Sequence, residues 1–374
     1  MITLDRILLR EIQLPLREPF RISSGEMRER RILLLELFDK DGAHTWAESV
    51  VDDLPNYSSE TLDTAWPTIV RVLAPRLLGR RIDGPGAVHA ILEQDVRGHN
   101  MAKGALEMGC WGIAAEQAKL PIARLIGGTR ERIATGISLG IQRNVHTLIA
   151  KANEALAEGY QKVKIKIAPG RDVDWVGAVR ESVGHEAHLM ADANNAYTLA
   201  DMDRLIALDD LNLMMIEQPL AHDDIVRHAE LQRKLRTPLC LDESITSLER
   251  AQDMVTLGSG RIINIKPGRV GGYAPSIAIH DYCESVGIPV WCGGMLESGI
   301  GRAYNVALAS LPNFTLPGDL SPSARYWAQD VVTPEWTMDA RGMVKVPLDR
   351  PGIGVEVDRA RIESLTVRTE ELRA

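Results

Sequence analysis

The sequence predicts an α/β protein in which a smaller α+β unit is followed by a closed barrel of β/α units. Two observations support this fold class. After about residue 130, short apolar runs alternate with helical segments, as is typical of parallel βα units, and eight such runs suit a closed barrel. Several of these runs end on one polar residue at intervals of about one βα unit, which places those residues at one edge of the barrel.

The amino-terminal unit, residues 1–130, has strand-like segments first and helical segments afterwards. Its first residues mix charged and apolar side chains and lack the continuous apolar segment of a secretory signal, so we expect them to belong to the folded protein. The predicted strands are ITLDRILLREIQL, RRILLLELFD and HTWAESVV, and the predicted helices are SSETLDTAWPTIVRVLAPRLLG and AKGALEMGCWGIAAEQAKL.

The barrel is predicted over residues 131–320, and residues 321–374 are predicted to return to the amino-terminal unit as strand and turn. Helices between the strands carry start signals. Thr198 precedes an apolar stripe, and Thr246 with Glu249 fits a capping box. The candidate barrel strands are TGISLGI, VKIKI, HLMAD, LMMIE, LCLD, RIINIK, PVWCG and FTLPG.

Composition excludes several function classes. The chain has 374 residues and a net charge of −8 without a block of lysine or arginine, so we expect neither a nucleic-acid nor an anionic-membrane partner. It contains no apolar run long enough to span a bilayer. Its four cysteines are widely spaced and form no CxxC pair, which favours a reducing, cytoplasmic location.

Five strand ends carry the residues on which a functional prediction depends. Their spacings are 26, 25, 25 and 24 residues, so they should lie at equal heights around the barrel. The carboxyl ends of barrel strands form the active-site face, and three carboxylates therefore converge there between two lysines. The five residues are Lys166, Asp192, Glu217, Asp242 and Lys266.

The strand that ends at Lys166 raises a separate question, because lysine occupies every second position of an apolar run. Strand geometry sends alternate residues to opposite faces, so Lys164 and Lys166 should share the barrel mouth. Lys162 lies near the start of the strand and either faces inward or is a solvated entrance residue. The outward-facing residues, packed against helices, are predicted to be Val163, Ile165 and Ile167.

Three converging carboxylates need a cation to offset their repulsion. Oxygen ligands without histidine or cysteine favour Mg²⁺, with Mn²⁺ as the alternative, and leave positions for water and substrate. Such an ion can hold the carboxylate of a small-molecule substrate and stabilise the enediolate formed when an adjacent C–H proton is removed. Asn194 and Glu243, which follow two of these ligands closely, are predicted either to orient them or to cap turns.

The lysines would supply the base. A lysine pKa must fall from about 10.4 to about 7–8 for this task, a change of roughly 3 units or about 4 kcal/mol. Lys164 beside Lys166, together with the metal charge, acts in that direction. Lys266 lies across the ring. Lysines on two faces of a substrate permit either proton exchange at one carbon or loss of a leaving group.

Two other function classes remain open at this stage. A lysine inside a barrel also suits a metal-free Schiff-base lyase, in which the amine is an imine-forming nucleophile. A metal-binding scaffold without catalytic activity is the other. Each motif alone is weak evidence, since an isolated KxK is usually a solvated strand face and short acidic motifs usually cap helices. The common spacing of five strand ends favours the enzyme.

The same residues lie in motifs that resemble the enolase superfamily, in its two-lysine, muconate-cycloisomerase-like subgroup. The sequence is most similar to the o-succinylbenzoate synthase and N-acylamino acid racemase family, and the resemblance extends over nearly the whole chain. The matching motifs are KIKIAPG, DANNAYTLAD, IEQPL, LCLDES, NIKPGRVGGY and VWCGGMLESGIGR.

This resemblance implies a modified TIM barrel of type (β/α)₇β with an N-terminal α+β capping domain, whose loops at Phe20–Gly25 and Asp52–Tyr57 close over the site. It implies Lys166 and Lys266 as the acid/base pair. Lys164 would tune Lys166 and touch the substrate carboxylate. The implied ligands of Mg²⁺ are Asp192, Glu217 and Asp242, and the implied substrate contacts are Tyr57, Ser138, Arg269, Gly293, Gly294 and Met295.

The resemblance also ranks the activities. Dehydration to o-succinylbenzoate, a step of menaquinone synthesis, ranks first, and racemisation of N-succinyl or other N-acyl amino acids ranks close behind. Arg269 is similar to the branch that includes racemases. Dipeptide epimerases fit less well, because their last strand carries a DxD that holds an ammonium, and only Asp319 is present here. Muconate cycloisomerases fit less well in the later motifs. A homo-oligomer is expected.

Overall fold

The computed structural model describes residues 1–22 and 25–374. Ser23 and Ser24, within the predicted Phe20–Gly25 loop, lie outside the described residues. The amino-terminal part is an antiparallel sheet with helices on one side, and a parallel sheet with outer helices follows it. None of the helices in the described ranges combines the length and apolar character that crossing a bilayer requires.

The amino-terminal sheet is a meander of long strands rich in leucine and isoleucine. The first strand pairs with the second along most of its length, and the second pairs with the third. The last strand of the chain, Thr366–Arg373, pairs with the first strand from the other side. The first three strands are Ile2–Ile22, Gly25–Asp39 and His44–Ser49, and the helices of this part are Leu62–Thr68, Val88–Glu93, Asn100–Ala118 and Ile122–Leu125.

The long helix Asn100–Ala118 packs against strands of the amino-terminal sheet and against helices of the barrel, and it thereby connects the two parts. Two of its glycines permit this close approach. A Cβ at Gly109 would lie 2.7 Å from a methyl carbon of Leu37, and one at Gly112 would lie 2.7 Å from the Tyr304 hydroxyl. Larger residues at these positions would force the helix away from the amino-terminal sheet and from the barrel.

The barrel sheet is parallel, and in the described part of the chain its strands pair in sequence order. The apolar faces of the surrounding helices cover its outer side, as expected for parallel strands buried on both faces. The strands are Gly136–Leu139, Lys162–Lys166, Leu189–Asp192, Ile216–Glu217, Leu239–Leu241, Ile262–Ile265 and Val290–Cys292. The helices are Val145–Ala157, Val173–Val183, Met202–Ile206, Val226–Gln232, Leu248–Leu257, Pro267–Val270, Tyr273–Ser285 and Gly299–Leu308.

The predicted eighth strand closes the barrel in an irregular form. Phe314 bridges to Val290 of the last regular strand, and Gly318 bridges to Thr135 beside the first one. Gly318 also donates its N–H to the carbonyl of Ala134 at 3.0 Å. Pro317 has no N–H to donate, so a continuous ladder is not formed there. The prediction of a closed (β/α) barrel with an amino-terminal cap is thus confirmed.

One local prediction needs correction, and one open alternative is decided. Thr198 caps its helical turn as expected, but the helix Leu248–Leu257 is capped by Ser247 rather than Thr246, because the Ser247 hydroxyl accepts the N–H of Arg250 at 3.4 Å. Lys162 is not a solvated entrance residue. Its side chain is fully buried inside the barrel, while Val163 and Ile165 on the opposite face pack against the helices.

The carboxyl-terminal residues return along the surface of the molecule. Met343–Lys345 pairs with Arg132–Ala134, and Val332–Thr333 pairs with Glu356–Val357. The helix Arg359–Leu365 then leads into the final strand of the amino-terminal sheet. The division of the chain at residues 130 and 320 stays a prediction.

Glu107 connects the long helix to a barrel helix and provides a test of the fold. Its buried carboxylate accepts the N–H groups of Tyr273 and Ala274 at 2.7 and 2.9 Å, and burial raises its pKa to about 7. Because the pKa of Glu107 is higher in the folded than in the unfolded protein, its contribution to stability is complete at low pH and decreases as the pH rises towards 7. The free energy of unfolding should decrease by up to about 3 kcal/mol over this range. Urea titrations should show a larger decrease for the parent than for Glu107→Gln, by up to this amount; equal slopes for both proteins would contradict the prediction.

Candidate active site

The barrel places the five predicted strand-end residues at one edge. Lys166 and Asp192 are paired residues on adjacent strands, and Asp192 is paired in turn with Glu217. Asp242 and Lys266 directly follow the next two strands. The three carboxylates are almost completely buried, at 0–1% exposure. Equal spacing along the chain therefore corresponds to proximity in space.

Each proposed catalytic lysine contacts one of the carboxylates. Lys166 Nζ lies 2.6 Å from Asp192 Oδ2, and Lys266 Nζ lies 2.8 Å from Asp242 Oδ2. Lys164 contacts two members of the trio. Its Nζ is 3.1 Å from Glu217 Oε2 and 3.2 Å from Asp192 Oδ2. Lys166 and Lys266 thus contact the carboxylates at the two ends of the trio, Asp192 and Asp242.

Burial and neighbouring charges shift the pKa values of Glu217 and Asp192 in opposite directions. Burial raises the pKa of Glu217 to about 8, and the negative charge of Asp192 adds to this rise. Burial would raise the pKa of Asp192 as well, but Lys166 and Lys164 hold it below its usual range. Glu217 is therefore the member of the trio that most needs additional positive charge.

The donor set fits a hard divalent cation, since it consists of carboxylate oxygens in a buried site with surplus negative charge. In the described ranges the three side chains do not bring one oxygen each within 4.8 Å of one another, so binding of one ion by all three requires rotation of at least one side chain. A group that does meet this distance lies on an outer helix and consists of His280, Asp281 and Glu284. His280 Nδ1 contacts Asp281, and its Nε2 accepts the N–H of Asn313, so both nitrogens are occupied.

Asn194 and Glu243 form a supporting chain behind Lys166. Asn194 Oδ1 accepts a hydrogen bond from Lys166 Nζ at 2.6 Å, while its Nδ2 donates to Glu243 Oε1 at 3.4 Å. Asn195 Nδ2 donates to the same oxygen at 3.1 Å. Glu243 therefore fixes the Asn194 amide so that its oxygen faces the lysine.

This chain leads to a prediction for turnover. Glu243→Leu removes the acceptor that orients Asn194 and should lower kcat about 10- to 100-fold, the usual effect of losing such a supporting contact. Glu243→Gln retains an acceptor oxygen and should lose much less. Steady-state rates of the two variants, at equal thermal stability, provide the comparison. Equal rates for Glu243→Leu and the parent protein would contradict the assigned contact.

Sequence reasoning missed two further contacts of the trio. Asn264 Nδ2 donates to Glu217 Oε1 at 2.7 Å, and Gln218 Oε1 accepts the N–H of Asp242 at 3.0 Å. Asn264 left a signal, because it is a polar residue within the buried run RIINIK. Gln218 left a weaker one, since it directly follows Glu217 at the strand end.

Tyr57 reaches the site from the amino-terminal part of the chain. Its hydroxyl donates to Asp242 Oδ1 at 2.8 Å, and its ring lies 4.3 Å from Lys266 Nζ. Arg269 also contacts Asp242 Oδ1, and it donates to the Tyr57 hydroxyl at 3.2 Å. Arg269 is buried, and its guanidinium contacts two residues of the protein itself, Asp242 and Tyr57. Burial raises the pKa of Tyr57 well above its usual range.

The other predicted substrate contacts are supplied by the barrel. Ser138 is paired with Lys164, and its buried hydroxyl makes no hydrogen bond to a described residue. Gly293 lies so close to Lys266 that a Cβ would approach the lysine Cε to 2.6 Å. A Cβ at Gly294 would lie 2.8 Å from the carbonyl oxygen of Asp319. Met295, partly exposed, follows them in the same loop.

A cavity of about 1070 Å³ lies beside this site, between the amino-terminal part and the barrel. Segment 55–60 and the start of the long helix form one wall, and the loops after the barrel strands form the other. Tyr57, Asn195, Glu243 and Arg269 line it. The supporting chain behind Lys166 therefore lies at the edge of this cavity.

Comparison with known proteins now decides the family. The family model for the mandelate racemase / muconate lactonizing enzyme N-terminal domain matches residues 6–127, and the model described as enolase C-terminal domain-like matches residues 147–361. Together they account for most of the chain. The chain belongs to the enolase superfamily. The resemblance predicted from its motifs is confirmed.

Similar members of the enolase superfamily carry two activities in their names. The o-succinylbenzoate synthase of Geobacillus stearothermophilus is 46% identical over 98% of this chain and 96% of its own length. The N-succinylamino acid racemase of Thermus thermophilus is 45% identical over 96% of both chains. The crystal structure of an enolase superfamily protein from Listeria innocua has a TM-score of 0.96 at 41% identity and covers both chains completely.

The structure places Asp319 in an environment that the sequence did not predict. The sequence raised it only as half of a motif that binds a substrate ammonium. In the structure both of its oxygens contact lysines of the protein, Lys162 and Lys164. No pattern in the sequence indicated this, because Asp319 is more than 150 positions from both lysines.

Proposed function

We propose that this enolase superfamily enzyme is an o-succinylbenzoate synthase, which dehydrates a cyclohexadiene carboxylate through an enediolate. The observation that carries the proposal is the placement of Lys166 and Lys266 on two sides of the buried carboxylate trio. Relatives of 44–46% identity with that name, over nearly the full chain, support it.

Each residue has a role in the proposed reaction. Asp192, Glu217 and Asp242 would hold Mg²⁺, which neutralises charge on the substrate carboxylate when bound. Lys166 Nζ removes the proton from the carbon next to that carboxylate, and the protonated lysine then gives its proton to the departing hydroxyl as the C–O bond breaks, so that the group leaves as water. The ammonium of Lys266, held by Asp242 at 2.8 Å, stabilises the negative charge that develops on the other face. Lys164 contributes a further positive charge beside the carboxylate.

Racemisation of N-succinyl amino acids is the second candidate, and the same geometry supports it. A proton removed by Lys166 on one face and returned by Lys266 on the other inverts the carbon. The contact of Arg269 with Asp242, next to Lys266, favours this candidate because it gives the second lysine a defined partner network. The Thermus thermophilus and Amycolatopsis relatives named as racemases support it as well.

A Schiff-base lyase is less well supported. An imine requires a neutral amine, whereas Asp242 outweighs burial and raises the pKa of Lys266 well above its usual range. Several other properties of the enzyme are proposals as well. We infer a small carboxylate substrate, Mg²⁺ with Mn²⁺ as substitute, a cytoplasmic location, a role in menaquinone synthesis, a homo-oligomer, and the division into residues 1–130, 131–320 and 321–374.

The two activities are separated by offering each substrate alone. The protein with Mg²⁺ is incubated in D₂O with the cyclohexadiene acid or with one enantiomer of an N-succinyl amino acid. We expect aromatic product from the first, by ultraviolet absorbance, and deuterium at the α-carbon from the second, by NMR. Aromatic product without exchange supports the synthase alone. Exchange without aromatic product supports the racemase, and neither would overturn both proposals.

A further inference from the structure

A second charged cluster lies inside the barrel, and it shares Lys164 with the carboxylate trio. Asp319 is 5% exposed, and its Oδ2 lies 2.5 Å from Lys164 Nζ. Its other oxygen, Oδ1, lies 3.1 Å from Lys162 Nζ. One carboxylate thus bridges two lysines that project from the same face of one strand.

The backbone holds Asp319 in place from several sides. The Asp319 N–H donates to the carbonyl of Cys292 at 2.9 Å, and Arg302 Nη1 donates to the Asp319 carbonyl oxygen at 3.2 Å. Gly294 packs against the same carbonyl without room for a side chain. A carboxylate fixed in this way offers Lys164 a defined anchor rather than a mobile counter-ion.

Lys162 has no contact with the carboxylate trio within ion-pair distance among the described residues. Its ammonium lies 3.7 Å from the centroid of the Trp291 ring, and its ion pair is with Asp319. A fully buried ammonium requires such partners, because its desolvation is otherwise costly. Lys162 therefore balances the charge of Asp319 and does not face the site.

We propose that Asp319 is a positioning residue that holds the ammonium of Lys164 beside the substrate carboxylate, with Lys162 balancing its charge. The inference rests on the proposed function for the identity of that carboxylate. Of the three acids that contact Lys164, Asp319 is the nearest, and it lies outside the trio assigned to the metal. Without it, Lys164 would have only Asp192 and Glu217 and would compete with a divalent cation for their oxygens.

Three variants separate positioning from charge balance. Asp319→Asn alone leaves Lys162 buried without an anion, which is expected to destabilise the fold. Lys162→Met keeps the contact between Asp319 and Lys164. The double variant Asp319→Asn with Lys162→Met removes one charge of each sign, so it keeps the cluster balanced but leaves Lys164 without its anchor. Thermal unfolding identifies which variants are folded.

The deciding measurements are the affinity for Mn²⁺, titrated into metal-free protein, and the separate values of kcat and KM. The double variant should bind Mn²⁺ about 10- to 100-fold more weakly and show a raised KM. Lys162→Met should stay within about threefold of the parent in both. Parent-like Mn²⁺ affinity and KM in the double variant would overturn the proposal, as would equal losses in Lys162→Met.

Failure of the proposed function gives a different pattern. A parent protein without either activity on the offered substrates would overturn the function. The comparison of Mn²⁺ affinities would still test Asp319, since it needs no turnover.

Discussion

Lys166→Ala is expected to lower the rate of dehydration about 10²- to 10⁴-fold, because it removes the group assigned to take the proton. The variant should fold normally, since Lys166 lies at the partly exposed end of its strand and its contacts are with Asp192 and Asn194. Steady-state rates measured with the cyclohexadiene acid test this directly.

The same variant has a distinctive signature in amino acid exchange. In D₂O, Lys166→Ala should lose α-proton exchange from one enantiomer of an N-succinyl amino acid and retain a measurable rate from the other. Lys266→Ala is the matched control and should show the opposite pattern, because its ammonium approaches the trio from the other side. Loss of exchange from the same enantiomer in both variants would contradict the assignment of the lysines to two faces.

Glu217→Gln is expected to abolish both metal binding and turnover, with a loss of at least about 100-fold in each. Glu217 is fully buried in the centre of the trio, and its pKa is raised to about 8, so a bound cation relieves more unfavourable charge there than at its neighbours. The amide keeps the size of the side chain and can still accept the hydrogen bond of Asn264.

Thermal unfolding separates this effect from a folding defect. Mg²⁺ should raise the melting temperature of the parent protein, because a ligand that binds only the folded state stabilises it, and should not raise that of Glu217→Gln. Without metal, the variant should be about as stable as the parent, since burial favours the neutral form of Glu217 and the amide is neutral as well. Glu230→Gln, on an exposed helix position, is the control for loss of one negative charge. A Mg²⁺ response in Glu217→Gln equal to that of the parent would count against the site.

The sequence was sufficient where the physical cause is local or periodic. Alternation in the strand Lys162–Lys166 predicted which side chains face inward, and the common spacing of strand ends predicted that Asp192 and Glu217 become neighbours. Both follow from the geometry of one strand and of one repeating unit. The same reasoning placed an eighth strand at FTLPG, although Pro317 makes it irregular.

The environment of Lys162 and Arg269 could not be predicted, because it depends on residues distant in sequence. Lys162 is buried because Trp291 and Asp319 arrive from the closing side of the barrel. Arg269 contacts Asp242 together with Tyr57, which the amino-terminal part supplies across 212 positions. Spacing along the chain contains no information on such partners, since they are selected only when the barrel closes and the cap packs on it.

Asp192, Glu217 and Asp242 are proposed to hold one cation between Lys166 and Lys266. A crystal structure with Mn²⁺ tests it most directly through anomalous scattering. We expect a single strong peak in contact with an oxygen of each carboxylate, with the two lysine nitrogens on opposite sides of the adjacent space. A peak elsewhere, or one in contact with fewer than all three carboxylates, would contradict it.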